Sequence, residues 1–557
     1  MARLTKILPL ALLLVFSFRP TAAVTAVQGP IVTLDYGSFK GNLTGNLVKF
    51  LGIPFAAPPI GNLRFAPAEA PIPFKGVRQA TAFGAACFQQ SLGAFAQGLS
   101  SISIEADFPQ PSVFSEDCLF INVFKPASIS AGKKLPVIFW IYGGGFQIGG
   151  TSSFQADPLV ARSITLSEPV IYVSANYRLN AFGFLQGKEA KKAGLGNIGL
   201  RDQQFALQWV QKHISAFGGD PTKVITWGES AGAFSAGYHI VANDGDTQGL
   251  FRGAFMESGS PSPLNDITAN QQYFDQLVVD AGCQGFADPI ACLRTLPFEK
   301  LGDAINQSPN LFSYQSLALA WGPSIDGLFI KRDPQESLIK GLYAKVPFVT
   351  GDCDDEGTIF SLSNKNITTN EEFLGYLRSN YLSGISDDQL AAIAKAYPED
   401  PAQGSPFGTG TANALTPQFK RLSAVQGDLF FQGPRKFFLK IASKTQPAFA
   451  FSYKRGKATQ IVGTAHGSDL AEFYGVGTEP DFIGTDALIN FANTLDPNTK
   501  NPQSLLSSID WPCWGSSAAT PPLLTFLDPA PSINITFDDF RVQEIDLLTA
   551  ISLKLWA

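Results

Sequence analysis

Four short apolar runs limit what this chain can fold into. Pro136-Val-Ile-Phe-Trp-Ile-Tyr142, Pro169-Val-Ile-Tyr-Val-Ser174, Lys223-Val-Ile-Thr-Trp227 and Val346-Pro-Phe-Val-Thr350 are apolar at successive positions, not at alternate ones. A strand that is apolar on both faces must be covered on both faces, which marks a buried parallel sheet. Between the second and third runs, Arg201–His213 carries Phe205, Leu207, Trp209 and Val210 in a strong helix-forming context. Strands alternating with helices predict the α/β class, with a large, mostly parallel central sheet flanked by helices. Upstream, Val32–Phe55 reads as a hairpin-rich opening broken by Gly37, Gly41 and Gly45. No repeat, low-complexity tract or linker-like break interrupts the rest, so residues 24–557 are expected to form one catalytic domain with insertions.

The first residues have a different purpose. Arg3 and Lys6 precede an apolar run, Ile7–Phe18, followed by the small residues Thr21-Ala22-Ala23. This is the layout of a secretory signal peptide, here residues 1–23, and the run is too short to span a bilayer comfortably. With 16% charged residues and a net charge of −6, no basic segment supports nucleic-acid binding. Export makes the six cysteines disulfide candidates. Pairing Cys87 with Cys118 and Cys283 with Cys292 closes the shortest loops, leaving Cys353 and Cys513. Sequons beginning at Asn42, Asn306, Asn366 and Asn534 agree with export, although Pro309 works against the second.

The chemistry centres on Gly228-Glu229-Ser230-Ala231-Gly232. In a chain with 52 glycines the pattern itself is nearly expected by chance. Its setting is more specific: it follows a predicted strand and opens a helical stretch, Ala233–Val241, as a nucleophile elbow does. A serine hydroxyl needs a base, and there are three histidines. His239 lies on the elbow's own helix, roughly 13 Å down its axis. His213 precedes the nucleophile strand, at the edge opposite the elbow and roughly 17 Å from it. By elimination the base is His466, in the small-residue loop Gly463-Thr-Ala-His-Gly-Ser468. The acid that orients it lies in Gly351-Asp-Cys-Asp-Asp-Glu-Gly357, where composition does not choose among Asp352, Asp354, Asp355 and Glu356. Gly143-Gly144-Gly145-Phe146, at a strand end, can turn backbone N–H groups toward a substrate oxygen. Ala231, just after the nucleophile, adds another.

These residues resemble the type-B carboxylesterase/lipase family, which includes cholinesterases, secreted fungal lipases of the Candida rugosa type and sterol esterases. The likeness runs from Gly29 to Pro497 through Phe50-Leu-Gly-Ile-Pro-Phe-Ala56, Ser115-Glu-Asp-Cys-Leu119, Asn176-Tyr-Arg178, Ala181-Phe-Gly-Phe-Leu185 and Phe217-Gly-Gly-Asp-Pro221, together with the elbow, acid and histidine loops. The resemblance implies an α/β-hydrolase fold with a Ser230–His466–Glu356 triad. It also implies oxyanion donors at Gly144, Gly145 and Ala231, both local disulfides, and no metal or other cofactor. One departure is Thr226, where the family usually has an apolar residue; small repacking without loss of activity is expected there.

In the lipases of the family, the segment between Cys87 and Cys118 is the lid. Here Leu92, Phe95, Leu99 and Ile102 form an apolar stripe opposite Gln97, Ser100, Ser101 and Ser103. The segment contains no Trp to bind a quaternary ammonium, which counts against choline esters. The expected enzyme is a secreted serine ester hydrolase of lipid esters, meeting its substrate at a lipid–water interface. A carboxylesterase for short-chain or aromatic, feruloyl-type esters is the alternative. A non-catalytic binding member is disfavoured by the intact serine, histidine and glutamate.

Overall fold

The structure, a computed structural model, describes residues 29–93, 111, 113–517 and 519–555. The signal-peptide residues and Phe95, Leu99 and Ile102 of the lid stripe lie outside these. The first strands are β1 (Ile31–Leu34), β2 (Gly37–Lys40), β3 (Asn42–Thr44), β4 (Leu47–Pro54) and β5 (Val77–Gln79). There follow β6 (Phe120–Pro126), β7 (Leu135–Ile141), β8 (Ile171–Ala175), β9 (Gly219–Glu229) and β10 (Gly253–Glu257). The last are β11 (Phe348–Cys353), β12 (Ala448–Tyr453), β13 (Pro522–Phe526) and β14 (Ile533–Phe537).

Strands β1, β2 and β5 form a small sheet; the others form one eleven-stranded sheet in the order β14-β13-β12-β11-β10-β9-β7-β8-β6-β4-β3. From β13 to β8 every pairing is parallel. Antiparallel pairs finish both margins. The four apolar runs became β7, β8, the second half of β9, and β11. Every residue of β7, β8 and β11 is buried, as strands apolar on both faces require. The expected helix is Ile198–His213. At the heart of the sheet Trp140, Trp227 and Tyr474 interlock, with ring centroids 4.3 Å and 4.6 Å apart, and Tyr474 shares a 2.9 Å hydroxyl contact with Tyr172. Thr226 of β9 is fully buried, and its hydroxyl has no partner among the described residues.

Disulfides join Cys87 to Cys118 and Cys283 to Cys292. Cys353 and Cys513 are free thiols, the first of them buried. No described helix is long and apolar enough to cross a membrane.

Candidate active site

The sheet delivers its functional residues at the carboxyl ends of the parallel strands, where open α/β sheets bind ligands. Ser230 follows β9 and N-caps the helix Ala231–Val241 with φ 55° and ψ −126°, a left-handed turn that presents its hydroxyl to His466. The flanking glycines are required by close approach. A Cβ on Gly228 would lie 2.3 Å from the Gly232 carbonyl carbon, and one on Gly232 1.8 Å from the Ile141 oxygen. The Ser230 amide donates to the Glu257 carbonyl at 2.9 Å, tying the elbow to β10.

His466 arrives on the loop after β12 and places Nε2 2.8 Å from Ser230 Oγ. Its Nδ1 lies 2.5 Å from Glu356 Oε2, just beyond β11. The other Glu356 oxygen accepts 2.6 Å hydrogen bonds from the Ser258 hydroxyl and the Cys353 amide. Burial pushes Glu356 up to about 8, and those two donors oppose it in part by favouring the carboxylate. Burial holds His466 below its ordinary value, leaving its imidazole neutral and able to accept a proton. The other two histidines serve structure. His239 is buried, 3.0 Å from Gln203 Oε1 and pushed down to about 4, while His213 sits 3.6 Å from Asp35.

The other acids of the β11 loop have separate tasks. Asp352 pairs with buried Arg435 at 2.8 Å, and Asp354 pairs with Lys457 at 2.5 Å. Asp355 stitches loops together. It accepts from Ser405 Oγ, the Phe407 amide, Lys457 Nζ and the Thr464 amide, all within 2.9 Å, and so locks the acid loop to the histidine loop.

Gly144 and Gly145, at φ 103° and 60°, turn the loop after β7 toward Ser230. Among the described residues, neither their amides nor that of Ala231 donates a hydrogen bond. The loop is braced by Gln147, which is fully buried. Its carbonyl accepts from the Gln90 amide at 3.0 Å, and its side-chain oxygen accepts from the Leu311 amide at 2.6 Å. Leu311 in turn presses on Gly145, where an added Cβ would lie 2.8 Å from Leu311 Cδ2.

An apolar wall surrounds the imidazole. Phe431 and Phe360 lie 4.8 Å and 5.1 Å from the His466 ring, with Phe234 and Phe312 packed behind them. Leu92 and Leu311 belong to the same cluster. Phe431 sits in a π-helical turn, Asp428–Gln432, and such turns often occur at functional sites.

With this geometry in view, comparison with known proteins is decisive. The Carboxylesterase family model matches residues 28–524. The chain belongs to the carboxylesterase family. It is 41% identical to Lipase 2 of Diutina rugosa, over 89% of this chain and 91% of that one. It is 37% identical to a secreted triacylglycerol lipase of Gibberella zeae, over 93% and 90%. The crystal structure of Aspergillus niger EstA superposes with a TM-score of 0.80 at 26% identity, covering 95% of this chain and 99% of that one. The fold is accordingly that of an α/β-hydrolase, and this carboxylesterase-family chain is a carboxylic-ester hydrolase.

Sequence reasoning did not single out Ser258 or Gln147, and it named Asp355 without its stitching role. Ser258 follows β10, a strand of only five residues whose apolar pattern is too short to stand out. Its positive φ of 54° is a structural signal without a sequence counterpart. The sequons divide by exposure. Asn42, Asn366 and Asn534 are exposed. Asn306 is half-buried, and its side-chain oxygen accepts from the Ser91 amide at 2.8 Å. Among the described residues, no group of three or more His, Cys, Asp or Glu is arranged to hold a metal ion.

Proposed function

We propose that this hydrolase is exported behind a signal peptide of residues 1–23, folds as one domain over residues 24–557, and cleaves carboxylic esters of lipids, triacylglycerols or sterol esters, through an acyl-enzyme on Ser230. The hydroxyl oxygen of Ser230 attacks the ester carbonyl while His466 Nε2 takes its proton, supported by their 2.8 Å contact. Glu356 holds the Nδ1–H tautomer and balances the imidazolium as it forms. The amides of Gly144, Gly145 and Ala231 receive the oxyanion. The alcohol leaves with the proton from His466, and water then attacks the acyl carbonyl by the same route in reverse.

The observation that carries the lipid reading is the wall of Phe234, Phe312, Phe360 and Phe431 with Leu92 and Leu311, an apolar cluster packed around the imidazole of the reacting site. The names of the lipase relatives agree with it, and two disulfides suit an exported chain. The test is hydrolysis of p-nitrophenyl esters from acetate to palmitate, with and without detergent micelles. Rates that rise toward long chains and increase at the micelle surface are expected. A maximum at acetate or butyrate, indifferent to micelles, would instead make the chain a short-ester carboxylesterase.

A further inference from the structure

Two of the four sequons fall on the two edge strands of the eleven-stranded sheet, one at each end. Asn42 begins β3 and Asn534 is the second residue of β14, and both are exposed. In each strand the sequon's asparagine and threonine are two residues apart and so share a face. Asn42 Nδ2 lies 3.5 Å from Thr44 Oγ1, while Thr536 Oγ1 contacts Thr525 of β13 at 2.6 Å.

An edge strand presents unpaired backbone groups that can template a strand from another molecule, and proteins blunt such edges with lysine, proline or inward-pointing charge. The outer strand β14 has none of these. It reads Ile533-Asn-Ile-Thr-Phe537, β-branched or aromatic at four of its five positions, uncharged and without proline. Pro531 and Asp538-Asp539 flank it but leave its middle bare. Phe537 is 48% exposed, and on the opposite edge Leu43 of β3 is 40% exposed.

We propose that N-linked glycans on Asn42 and Asn534 close both edges of the sheet against strand addition by a second copy of this chain. A branched sugar rooted in a strand of three or five residues sweeps out the space, about 4.8 Å to the side, that an incoming strand needs. This rests on the reading that the chain is exported, because the sugar is attached in the secretory pathway. Asn366, exposed in a turn and on no strand, is the internal control.

The experiment secretes the full chain from a eukaryotic host, maps glycopeptides by mass spectrometry, and follows light scattering at matched concentration for N42Q, N534Q, N366Q and N534K. The expected result is sugar on Asn42 and Asn534. N42Q and N534Q should aggregate several-fold faster than wild type and N366Q, with kcat/KM of the soluble fraction unchanged. N534K, which puts a charge on the same edge, should bring the rate back toward wild type. Where a variant fails to fold, trimming the folded N366Q enzyme with an endoglycosidase gives the same readout. An unoccupied Asn534 beside an occupied Asn366, or N534Q aggregating no faster than N366Q, overturns the inference. A secreted chain with no sugar at Asn42 or Asn534 overturns the inference alone, whereas a chain that never reaches the medium overturns the export reading with it.

Discussion

Replacing Glu356 with Gln changes one atom in the site, and the surrounding hydrogen bonds predict how the new amide will sit. One oxygen of Glu356 accepts from two donors, the Ser258 hydroxyl and the Cys353 amide, and the other accepts from His466 Nδ1. If the glutamine oxygen faces the pair of donors, its NH2 points at Nδ1, which must then be the acceptor nitrogen. The histidine proton moves to Nε2, where it faces Ser230 Oγ and can no longer take the serine's proton. The opposite orientation preserves the active tautomer but sets NH2 against the Cys353 N–H, a donor that cannot rotate away. A buried N–H left unsatisfied costs about 1–3 kcal/mol, which favours the inactive arrangement by roughly 5- to 150-fold. The loss of the charge that stabilises the imidazolium adds to this, and the combined expectation is a fall in kcat of about 10³- to 10⁴-fold. KM for a soluble short ester and the thermal midpoint should barely move. The assay is steady-state hydrolysis of p-nitrophenyl butyrate by wild type and E356Q. A kcat within tenfold of wild type would refute the assignment of Glu356 as the group that fixes the tautomer.

Other expectations follow from neighbouring contacts. The Ser258 hydrogen bond lowers the Glu356 pKa, so Ser258→Ala should raise it and move the acid limb of the kcat–pH profile to higher pH by about one unit; an unmoved limb counts against that role. Thr226→Val replaces an unpartnered buried hydroxyl by a methyl group of similar shape, and should stabilise the fold by about 1–2 kcal/mol with unchanged kcat; a lower unfolding midpoint in urea would contradict it. Gln147→Met orphans the Leu311 amide and loosens the loop carrying Gly144 and Gly145; kcat should fall roughly tenfold or more with KM little changed, and a loss of stability alone would show a purely structural brace.

The sheet was legible because burial on both faces writes itself into a strand as an unbroken apolar run, as in Val137–Ile141. The elbow and its histidine were legible because strand, turn and helix constrain sequence locally, and because three histidines leave few choices. What remained hidden is long-range. Glu356 could not be told from Asp352, Asp354 and Asp355 by composition, since the distinction lies in which of them meets His466, 110 residues away, which meets Arg435 and which meets Lys457. Ser258, between β10 and the acid loop, and Gln147, with a bond to Leu311 spanning 164 residues, leave no periodic trace at all. Family resemblance supplied Glu356; nothing in the chain's pattern supplied the residues that hold it.

The site also holds more carboxyl groups than one imidazole can use. Glu229, Glu257 and Asp469 are buried beside Glu356, and burial pushes Glu229 and Asp469 each up to about 8 and Glu257 well above the ordinary carboxylate range. Burial pushes Glu356 up to about 8 as well, so burial alone does not choose among them. The negative charge belongs on Glu356 because the Ser258 hydroxyl, the Cys353 amide and His466 Nδ1 all meet its oxygens. Glu229 Oε1, by contrast, has no hydrogen-bond partner among the described residues, and Glu229 holds its proton. Glu229 is the critical member of the set. Its Oε1 lies 3.3 Å from His466 Nε2, and its Oε2 packs so closely on the glycine loop that a Cβ on Gly143 would be 2.6 Å away. Once ionised, it places a second negative charge beside the forming oxyanion, and like charges about 4 Å apart repel by roughly 4 kcal/mol at an effective dielectric constant of 20. Activity should thus decline through pH 8. Because the folded state holds this proton well above the ordinary carboxylate range, stability should also fall as pH rises from there toward 8. Glu229→Gln stays neutral throughout. It should remove the alkaline decline in kcat between pH 7 and 10 and leave the acid limb, set by His466 and Glu356, in place. Superimposable profiles for wild type and E229Q would mean that Glu229 is not the group whose ionisation limits the reaction.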